Sequence, residues 1–352
     1  MNGKLVRDRV ILEEAAIAEL YSTSYYGRPR DGKLELTLTE AAYLLGRERI
    51  SISLDKKPLN FKEFVKTASN LMEKFELKYI VYKDLRERGY YVQPSVTDFR
   101  LYPRGGHPGK TPAEYFVRVV SEREPLPLTD IMRHLETAKN VRKQIILAIV
   151  DEEGDITFYD AKKTDMEGKM REVKTNGIKE EAALLGDRVI IWDPELAHAL
   201  HHGSFFGTLL HEKMLQLSLV ESAYLLKKKV IKIVDGKSGK VLSFKKFAEK
   251  ATRIEPIFDG KYRTYEGLRD KGQVVKTGFK FGSHFRTYEQ IDSIEKLTHS
   301  KYLVHAIPGD HIFALQELSR AIRLAQSVRK RMIFAYTTDK KVQYVDIGRT
   351  KL

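Results

Sequence analysis

The chain of 352 residues repeats one sequence pattern in its two halves. Three segments of the first half return in the second: LTLTEAAYLL (36–45) as LSLVESAYLL (217–226), FRLY (99–102) as FRTY (285–288), and VRKQIILA (141–148) as VRKRMIFA (328–335). The offsets are 217 − 36 = 181, 285 − 99 = 186 and 328 − 141 = 187. An offset that stays nearly constant is typical of a duplicated folding unit with small insertions. The duplication therefore predicts two similar lobes rather than one large core.

Within each half, the residue patterns predict a mixture of strands and helices. NFKEFVKTASN and SFKKFAEKATR have the spacing of amphipathic helices that begin at the caps Asn60 and Ser243. GQVVKTGFKF, HFRTYEQI and SKYLVHAI are typical of strands, and LQELSRAIRLAQSVRKR of a helix with one apolar face, followed by a hairpin that turns near Asp339. The predicted fold class is α/β, of the mixed α+β kind.

The domain boundaries follow from the repeat and from composition. We expect one repeat at residues 1–163, a charged linker at 164–186, and a second repeat at 187–352. The second repeat is expected to divide into an N-terminal αβ subdomain at about 187–255 and a mixed-sheet domain at about 256–352.

Charge and composition limit the classes of function. The net charge of +14 suits an anionic partner such as nucleic acid, although a solvated basic surface has the same composition. The chain has no cysteine, which excludes disulfides, thiolate metal sites and cysteine nucleophiles. No signal-peptide core and no apolar run long enough to span a bilayer occur. A cytoplasmic location is expected.

The two halves differ where residues suited to catalysis occur. The second half has Tyr288, His299 and Lys330. The first half keeps a tyrosine and a lysine, but has Pro112 or Ala113 where the second has the histidine. Two further differences are the loop TGFKFG (277–282), which replaces VQPSV (92–96), and Arg323, which replaces Glu136. Several losses in one lobe indicate that the second half carries the chemistry.

The chain resembles the archaeal tRNA splicing endonucleases, in the homodimeric form whose subunit is a fused tandem repeat with a degenerate N-terminal copy. The resemblance covers the whole chain and is most specific in KFGSHFRTY (280–288), HSKYLVHAIP (299–308) and RLAQSVRKRM (323–332). It implies a nuclease-like C-terminal domain and a triad of Tyr288, His299 and Lys330 that cleaves RNA at both splice sites without metal or other cofactor. The implied products end in a 2′,3′-cyclic phosphate and a 5′-hydroxyl.

Attack of a ribose 2′-hydroxyl on its neighbouring phosphate needs a base, an acid for the departing 5′-oxygen, and a cation for the charge that builds on phosphorus. Histidine changes protonation near neutral pH, so His299 suits the acid, and Lys330 suits the cation. Tyr288 is either the base or a residue that positions the 2′-hydroxyl, because a phenol with a pKa of about 10 needs help to lose its proton at pH 7.

The resemblance also implies RNA contacts and a dimer. Family members grip flipped bulge bases between two arginines, for which Arg323 and Arg349 are the candidates. Arg286 and Lys280 are candidates for holding phosphates. One intact triad per chain and two cuts per precursor tRNA imply a homodimer. The acidic turn of the first half is expected to enter a basic pocket of the partner chain, and its residues are Asp151, Glu152, Glu153 and Asp155.

Other interpretations remain open at this point. A noncatalytic RNA-binding assembly subunit is the alternative function, although all three triad residues are present. A metal-dependent DNA nuclease is a third interpretation, but no carboxylate cluster with a nearby lysine supports it. His198 and His202 have the i, i+4 spacing of a helical metal pair, and His201 lies beside them, but no HExxH pattern accompanies them, so no metal site is predicted. His305 lies in an apolar strand and is expected to be structural.

Overall fold

A computed structural model describes residues 1–170, 180–211, 213–293, 300–338 and 341–352. It divides into two compact units. The first unit consists of residues 1–162, 312–318 and 348–352, and the second of residues 163–311 and 319–347.

The first unit begins with a small mixed sheet covered by helices. Its elements are β1 (Asn2–Val6), β2 (Arg9–Leu12), a π-helical turn (Ile17–Tyr21), α1 (Ser22–Ser24), β3 (Arg28–Arg30), β4 (Lys33–Thr37), α2 (Leu38–Gly46), β5 (Ser51–Leu54), β6 (Lys57–Leu59), α3 (Phe61–Leu71) and α4 (Phe75–Glu87). The strand order is β3-β4-β2-β1-β5-β6, and β1 pairs with β5 in parallel.

A second sheet of the first unit follows helix α4. Its elements are β7 (Val92–Pro94), β8 (Phe99–Leu101), β9 (Tyr115–Ser121), β10 (Leu126–Pro127), α5 (Leu128–Asn140), β11 (Gln144–Val150) and β12 (Ile156–Lys163). Strands β9 and β11 are parallel, with α5 between them in the chain, and β7, β8 and β12 add antiparallel pairs. Strand β10 pairs with Ile312–Phe313, which belongs to the same unit.

The second unit repeats the first sheet. Its elements are β13 (Glu180–Leu185), β14 (Arg188–Ile191), α6 (Pro194–His198), a π-helical turn (Ala199–Gly203), β15 (Thr208–His211), β16 (Met214–Leu217), α7 (Leu219–Lys227), β17 (Ile231–Asp235), β18 (Val241–Leu242), α8 (Phe244–Ile254) and α9 (Phe258–Asp270). The order β15-β16-β14-β13-β17-β18 matches that of the first sheet strand for strand. Strand β13 lies inside the segment 164–186, which the composition predicts to be a linker. Its Ala182 and Leu184 are buried in the sheet.

The remaining elements repeat the second sheet. They are β19 (Val274–Thr277), a 3₁₀ turn (Phe279–Phe281), β20 (Phe285–Tyr288), β21 (Tyr302–Ala306), β22 (Ile312–Phe313), α10 (Leu315–Ser327), β23 (Arg331–Thr338) and β24 (Lys341–Arg349). Strands β21 and β23 are parallel, whereas β19–β20, β20–β21 and β23–β24 are antiparallel. The α+β class and the duplication predicted from sequence are confirmed.

The helical predictions hold at their start points. Asn60 and Ser243 cap α3 and α8, each accepting a hydrogen bond from the third backbone N–H of its helix. The predicted apolar face of α10 is buried, and consists of Leu315, Leu318, Ile322 and Ala325. The prediction of one strand through GQVVKTGFKF is wrong at its end, because Gly278 breaks the strand and Phe279–Phe281 form a 3₁₀ turn. The predicted hairpin turn at Asp339 lies outside the described residues.

Each small sheet is tied to the helix that follows it by a buried glutamate. Glu40 accepts hydrogen bonds from the backbone N–H of Gly27 (2.8 Å), and from the backbone N–H (2.9 Å) and hydroxyl (2.7 Å) of Thr37. Glu221 makes the same contacts with Gly207 and Ser218. This is a capping box extended to the glycine that immediately precedes the edge strand, β3 or β15, so one carboxylate holds a helix start and a sheet edge together. Burial raises the pKa of Glu40, and the three donors oppose that shift.

We expect Glu40→Ala to destabilise the first unit by about 2–4 kcal/mol, because it leaves buried donors without an acceptor. Glu63→Ala is the matched control, since Glu63 forms a capping box with Asn60 at an exposed helix start. Its expected cost is about 0.5–1 kcal/mol. Urea unfolding followed by circular dichroism, with hydrogen exchange of the α2 amides, measures the difference. Equal costs for the two variants would show that burial of the carboxylate is unimportant.

Within the described residues, no helix combines the length and the apolar character needed to cross a membrane.

Candidate active site

Two residues of the predicted triad lie at one edge of the second unit's larger sheet. Thr287 pairs with Tyr302, and Tyr302 pairs with Arg331, so these three residues form a row across β20, β21 and β23. Tyr288 is the next residue on β20, and Lys330 immediately precedes β23. Because β20 ends where its antiparallel neighbour β21 begins, and β23 runs parallel to β21, Tyr288 and Lys330 lie at the same edge.

Lys330 is held in a defined position. Its Nζ donates a hydrogen bond to the carbonyl oxygen of Ser300 at 2.7 Å and lies 5.6 Å from the ring centroid of Phe281. Burial lowers the pKa of Lys330, and the charge of Arg286 lowers it further. The ammonium group is therefore fixed where an additional negative charge would be stabilised.

Arg286 lies near the ring of Tyr288 and acts electrostatically on Lys330. Its guanidinium carbon lies 5.9 Å from the ring centroid of Tyr288, and its charge acts on Lys330. The Nε of Arg286 is buried and has no hydrogen-bond partner among the described residues. A buried donor without a partner is uncommon and is satisfied by water or a ligand. The predicted phosphate-holding arginine thus lies beside Tyr288.

Tyr288 itself is largely buried, with 5% of its surface exposed. It packs in a small apolar cluster with Phe205, Val274 and Ile291, against which Met170 also packs. This packing fixes the ring at the sheet edge. His299, the third residue of the predicted triad, lies outside the described residues, so its role stays a prediction.

The first half contains a lysine contact equivalent to that of Lys330. Lys143 donates to the carbonyl oxygen of Ala113 at 2.7 Å, as Lys330 does to Ser300. The equivalence of these contacts aligns Ala113 with Ser300, so Pro112 stands at the position of His299. The choice that the sequence left open between Pro112 and Ala113 is thereby decided.

A further difference between the halves escaped the sequence analysis. In the first half the hydroxyl of Tyr102 donates to Oε1 of Gln93 at 2.8 Å. Gln93 pairs with Arg100 in the sheet just as Lys276 pairs with Arg286, so a lysine replaces this glutamine in the second half. An alignment by strand register, which places VKTGF (275–279) against VQPSV (92–96), would have shown the exchange.

Lys276 is a partly buried cation on the strand next to Arg286. Its Nζ donates to the carbonyl oxygen of Gly207 at 3.0 Å. Burial lowers the pKa of Lys276, and the charges of Arg269 and Arg286 act in the same direction, whereas Glu221 opposes them. Lys276 lines a cavity of about 530 Å³ together with Arg188, Lys261, Glu221 and Phe279. Phe279 is 86% exposed, an unusual state for a phenylalanine.

The predicted RNA-binding residues do not all fall in one unit. Lys280 is exposed on the 3₁₀ turn, and Arg323 is exposed on α10, opposite the buried face of that helix. Arg286 lies next to Tyr288, as described above. Arg349 is exposed at the end of β24, in the segment that groups with the first unit.

Four of the other histidines form two stacked pairs. His284 and His305 stack at 4.1 Å, and Nδ1 of His284 accepts the backbone N–H of Ala306 at 3.0 Å. Burial, with the charges of His305 and Lys261, lowers the pKa of His284 to about 3. His198 and His202 stack at 4.4 Å. No group of three or more histidine or acidic side chains suited to a metal ion occurs in the described part of the chain.

The acidic turn of the first half is an ordered hairpin loop. Oδ1 of Asp151 accepts the backbone N–H groups of Glu153 (3.0 Å) and Asp155 (2.8 Å), so this carboxylate shapes the turn itself. Glu152 pairs with Arg123, and Glu152, Glu153 and Asp155 are exposed. The matching turn of the second half includes Asp339 and Lys340, which lie outside the described residues.

Two family models match the chain, each of them twice. The tRNA intron endonuclease N-terminal domain matches residues 1–65 and 181–248, and the catalytic C-terminal domain of the same family matches residues 75–158 and 258–344. Together they cover both halves, including the sheet edge with Tyr288 and Lys330.

Similar proteins occur in several archaea under the name tRNA-splicing endonuclease. The protein of Methanococcoides burtonii is 54% identical over 352 residues, which is the full length of both chains. That of Methanosarcina mazei is 54% identical, over 100% of this chain and 99% of the relative. The protein of Haloferax volcanii is 35% identical over 99% of each chain. With both domain models repeated and full-length relatives of this identity, the chain belongs to the tRNA intron endonuclease family and is an endonuclease of the type with two fused repeats.

Proposed function

We propose that this enzyme cleaves precursor tRNA at both splice sites, within a bulge-helix-bulge RNA structure, by metal-independent attack of a ribose 2′-hydroxyl. The observation that carries the proposal is the arrangement of Tyr288, Arg286 and Lys330 at one sheet edge in the half that also contains His299. The family membership supports the substrate class. The cytoplasmic location expected from the sequence remains a prediction.

The reaction forms one bond and breaks another at phosphorus. A base removes the 2′-hydroxyl proton, the 2′-oxygen attacks the adjacent phosphorus, and the bond to the 5′-oxygen of the next nucleotide breaks. His299 donates a proton to the departing oxygen, which leaves as a 5′-hydroxyl opposite a 2′,3′-cyclic phosphate. Tyr288 either accepts the 2′-hydroxyl proton or positions that hydroxyl.

The cations stabilise charge during this reaction. Lys330 is fixed by Ser300, and the guanidinium of Arg286 lies near Tyr288, so we propose that both cations meet the oxygens on which negative charge develops. A phosphate close to Lys330 would raise the pKa of this lysine, because its negative charge stabilises the ammonium form. Arg323 and Arg349 are proposed to grip bulge bases, and Lys280 to hold a phosphate.

Two chains are proposed to form the working enzyme, since each has one complete triad and an intron is released by two cuts. The exposed acidic turn, with Glu152, Glu153 and Asp155, is proposed to reach the cationic side chains of Arg188 and Lys276 in the second-unit cavity of the partner chain. Complementary charges favour this contact and orient it.

The cleavage chemistry is tested with a bulge-helix-bulge RNA in excess EDTA. We expect wild-type enzyme to cut both sites and to leave 2′,3′-cyclic phosphate and 5′-hydroxyl ends, identified by mass spectrometry. His299→Ala should slow single-turnover cleavage by roughly 10²–10⁴-fold with little loss of RNA affinity. A requirement for metal would indicate a metal-dependent nuclease instead, and RNA binding without cleavage would indicate a noncatalytic assembly subunit.

The two lysines provide a matched pair for assigning the active lobe. We expect Lys330→Ala to slow cleavage by about 10²–10³-fold, because it removes a fixed cation from the reacting phosphate. Lys143→Ala should leave the rate close to wild type, although it removes an equivalent lysine-to-carbonyl hydrogen bond of 2.7 Å. Single-turnover rates and melting temperatures of both variants separate catalysis from stability. Comparable rate losses would mean that the first lobe also contains a working site.

The acidic turn is tested by neutralising its three exposed carboxylates while keeping Asp151, which shapes the turn. We expect the triple variant Glu152→Gln, Glu153→Gln and Asp155→Asn to sediment more as monomer, and added salt to weaken the wild-type dimer similarly. A control with three exposed acids of the second unit, Glu195→Gln, Glu249→Gln and Asp259→Asn, should remain dimeric. A dimeric triple variant that cuts both sites normally would exclude this role for the turn.

A further inference from the structure

A large basic cavity lies in the first unit, and its lining includes none of the residues assigned to catalysis. Its volume is about 830 Å³, and its walls come from the β1–β2 turn, strands β3 and β4, and the β7–β8 hairpin. Five arginines line this arginine cavity: Arg7, Arg9, Arg28, Arg30 and Arg100. All five are exposed.

The carboxylates of the arginine cavity leave much of this charge uncompensated. Asp8 lies 3.6 Å from Arg9, and Glu35 lies 3.9 Å from Arg30. Glu40 is buried and accepts three hydrogen bonds from Gly27 and Thr37. Arg7, Arg28 and Arg100 form no ion pair with any carboxylate in the part of the chain that the structure describes. The cavity therefore presents guanidinium groups that are available to an anion.

In the corresponding cavity of the second unit, cationic and acidic side chains are equal in number. Its charged lining consists of Arg188, Lys261 and Lys276 against Asp187, Glu221 and Glu255, besides one histidine. Lys261 is itself paired with Glu255. The arginine cavity thus differs from its copy in charge although the two sheets share one strand order.

Two of the extra arginines can be located by strand register. Val6 pairs with Arg9 as Leu185 pairs with Arg188, so Arg7 occupies the turn position of Gly186. Arg28 pairs with Glu35 as Thr208 pairs with Gln216, so Arg28 occupies the position of Thr208. At both positions the first half has an arginine where the second half has an uncharged residue, and each arginine adds a positive charge to the arginine cavity.

Arg7 replaces Gly186 at a position whose backbone conformation favours glycine. Arg7 has φ 54° and Gly186 has φ 63°, and this left-handed region favours glycine. A side chain other than glycine costs roughly 1 kcal/mol there. Folding alone would favour the glycine found in the copy, so the arginine at this turn points to a role in binding.

We propose that the arginine cavity binds the phosphodiester backbone of RNA, as a contact of the precursor tRNA separate from the cleavage site. Guanidinium groups present paired donors that match phosphate oxygens, and several of them around one cavity suit a backbone with a charge on every nucleotide. The chain's net charge of +14 favours the same class of partner. The identity of the RNA as precursor tRNA rests on the proposed function.

The test replaces the two located arginines by the residues that the second half has in their places, Arg7→Gly and Arg28→Thr. The probe is a precursor tRNA transcript with 2′-deoxyribose at both cleavage sites, so that binding is measured without cleavage. We expect affinity to fall about tenfold at 0.1 M salt, and the slope of log affinity against log salt to become shallower by about 2. Arg7→Gly is compatible with the backbone, so the variant should fold.

The control variant Lys229→Gly with Arg253→Thr also removes two exposed positive charges, and Lys229 likewise has φ 61°. It should retain the wild-type affinity and salt slope. An unchanged slope for the double arginine variant would overturn the proposal. Loss of the dimer with intact RNA affinity would also overturn it, because the cavity would then bind an acidic segment of a second copy.

Hydrogen exchange of the wild-type protein provides a measurement without any substitution. Binding of the transcript should protect peptides that cover residues 6–12 and 27–37, and unchanged exchange in both would contradict the proposal. Failure of the proposed function can be distinguished from failure of this RNA-binding proposal. If the proposed function is wrong, wild-type enzyme will leave an all-ribose transcript uncut, whatever the binding measurement shows.

Discussion

The parallel pair of strands in each larger sheet, β9 with β11 and β21 with β23, is the constraint on which the site depends. Parallel neighbours cannot be joined by a tight turn, so a helix connects them, and both strands begin at the same sheet edge. A lysine just before the second strand then donates to a backbone carbonyl just before the first, at 2.7 Å in both halves. This geometry brings distant parts of the chain to one edge, where β20 also ends with Tyr288.

The duplication kept this scaffold in both halves and changed the residues displayed on it. Lys143 and Lys330 make equivalent contacts, so the lysine contact has a structural value that does not depend on catalysis. The difference lies at the residue opposite the arginine that both halves have two positions before the tyrosine, as Arg100 and Arg286. In the first half this residue is Gln93, which accepts a hydrogen bond from Tyr102, and in the second half it is Lys276. The first half lacks the histidine but has Arg7 and Arg28 where the second half has Gly186 and Thr208. The two copies have thus acquired different distributions of positive charge on one fold.

Sequence patterns predicted the elements whose cause is local. Asn60 and Ser243 start their helices because a side-chain oxygen satisfies a free backbone N–H, and Leu315 and Leu318 are buried because they recur with the period of a helix. The strand predicted through TGFKF was shorter than expected, since Gly278 allows a turn that the alternation of residues does not reveal. The segment 164–186 was predicted to be a linker because it is charged and separates the two copies, and strand β13 lies within it.

The sequence by itself determined the duplication, the family and the lobe that retains Tyr288, His299 and Lys330, because these depend on residue identity and spacing. Only the tertiary structure decided that Pro112 aligns with His299, that the guanidinium of Arg286 lies near the ring of Tyr288, and that Arg7, Arg28 and Arg100 line one cavity. The physical reason is that contacts between strands depend on sheet register, which joins residues far apart in the chain. Local propensities do not encode that register, whereas hydrogen bonds between strands do.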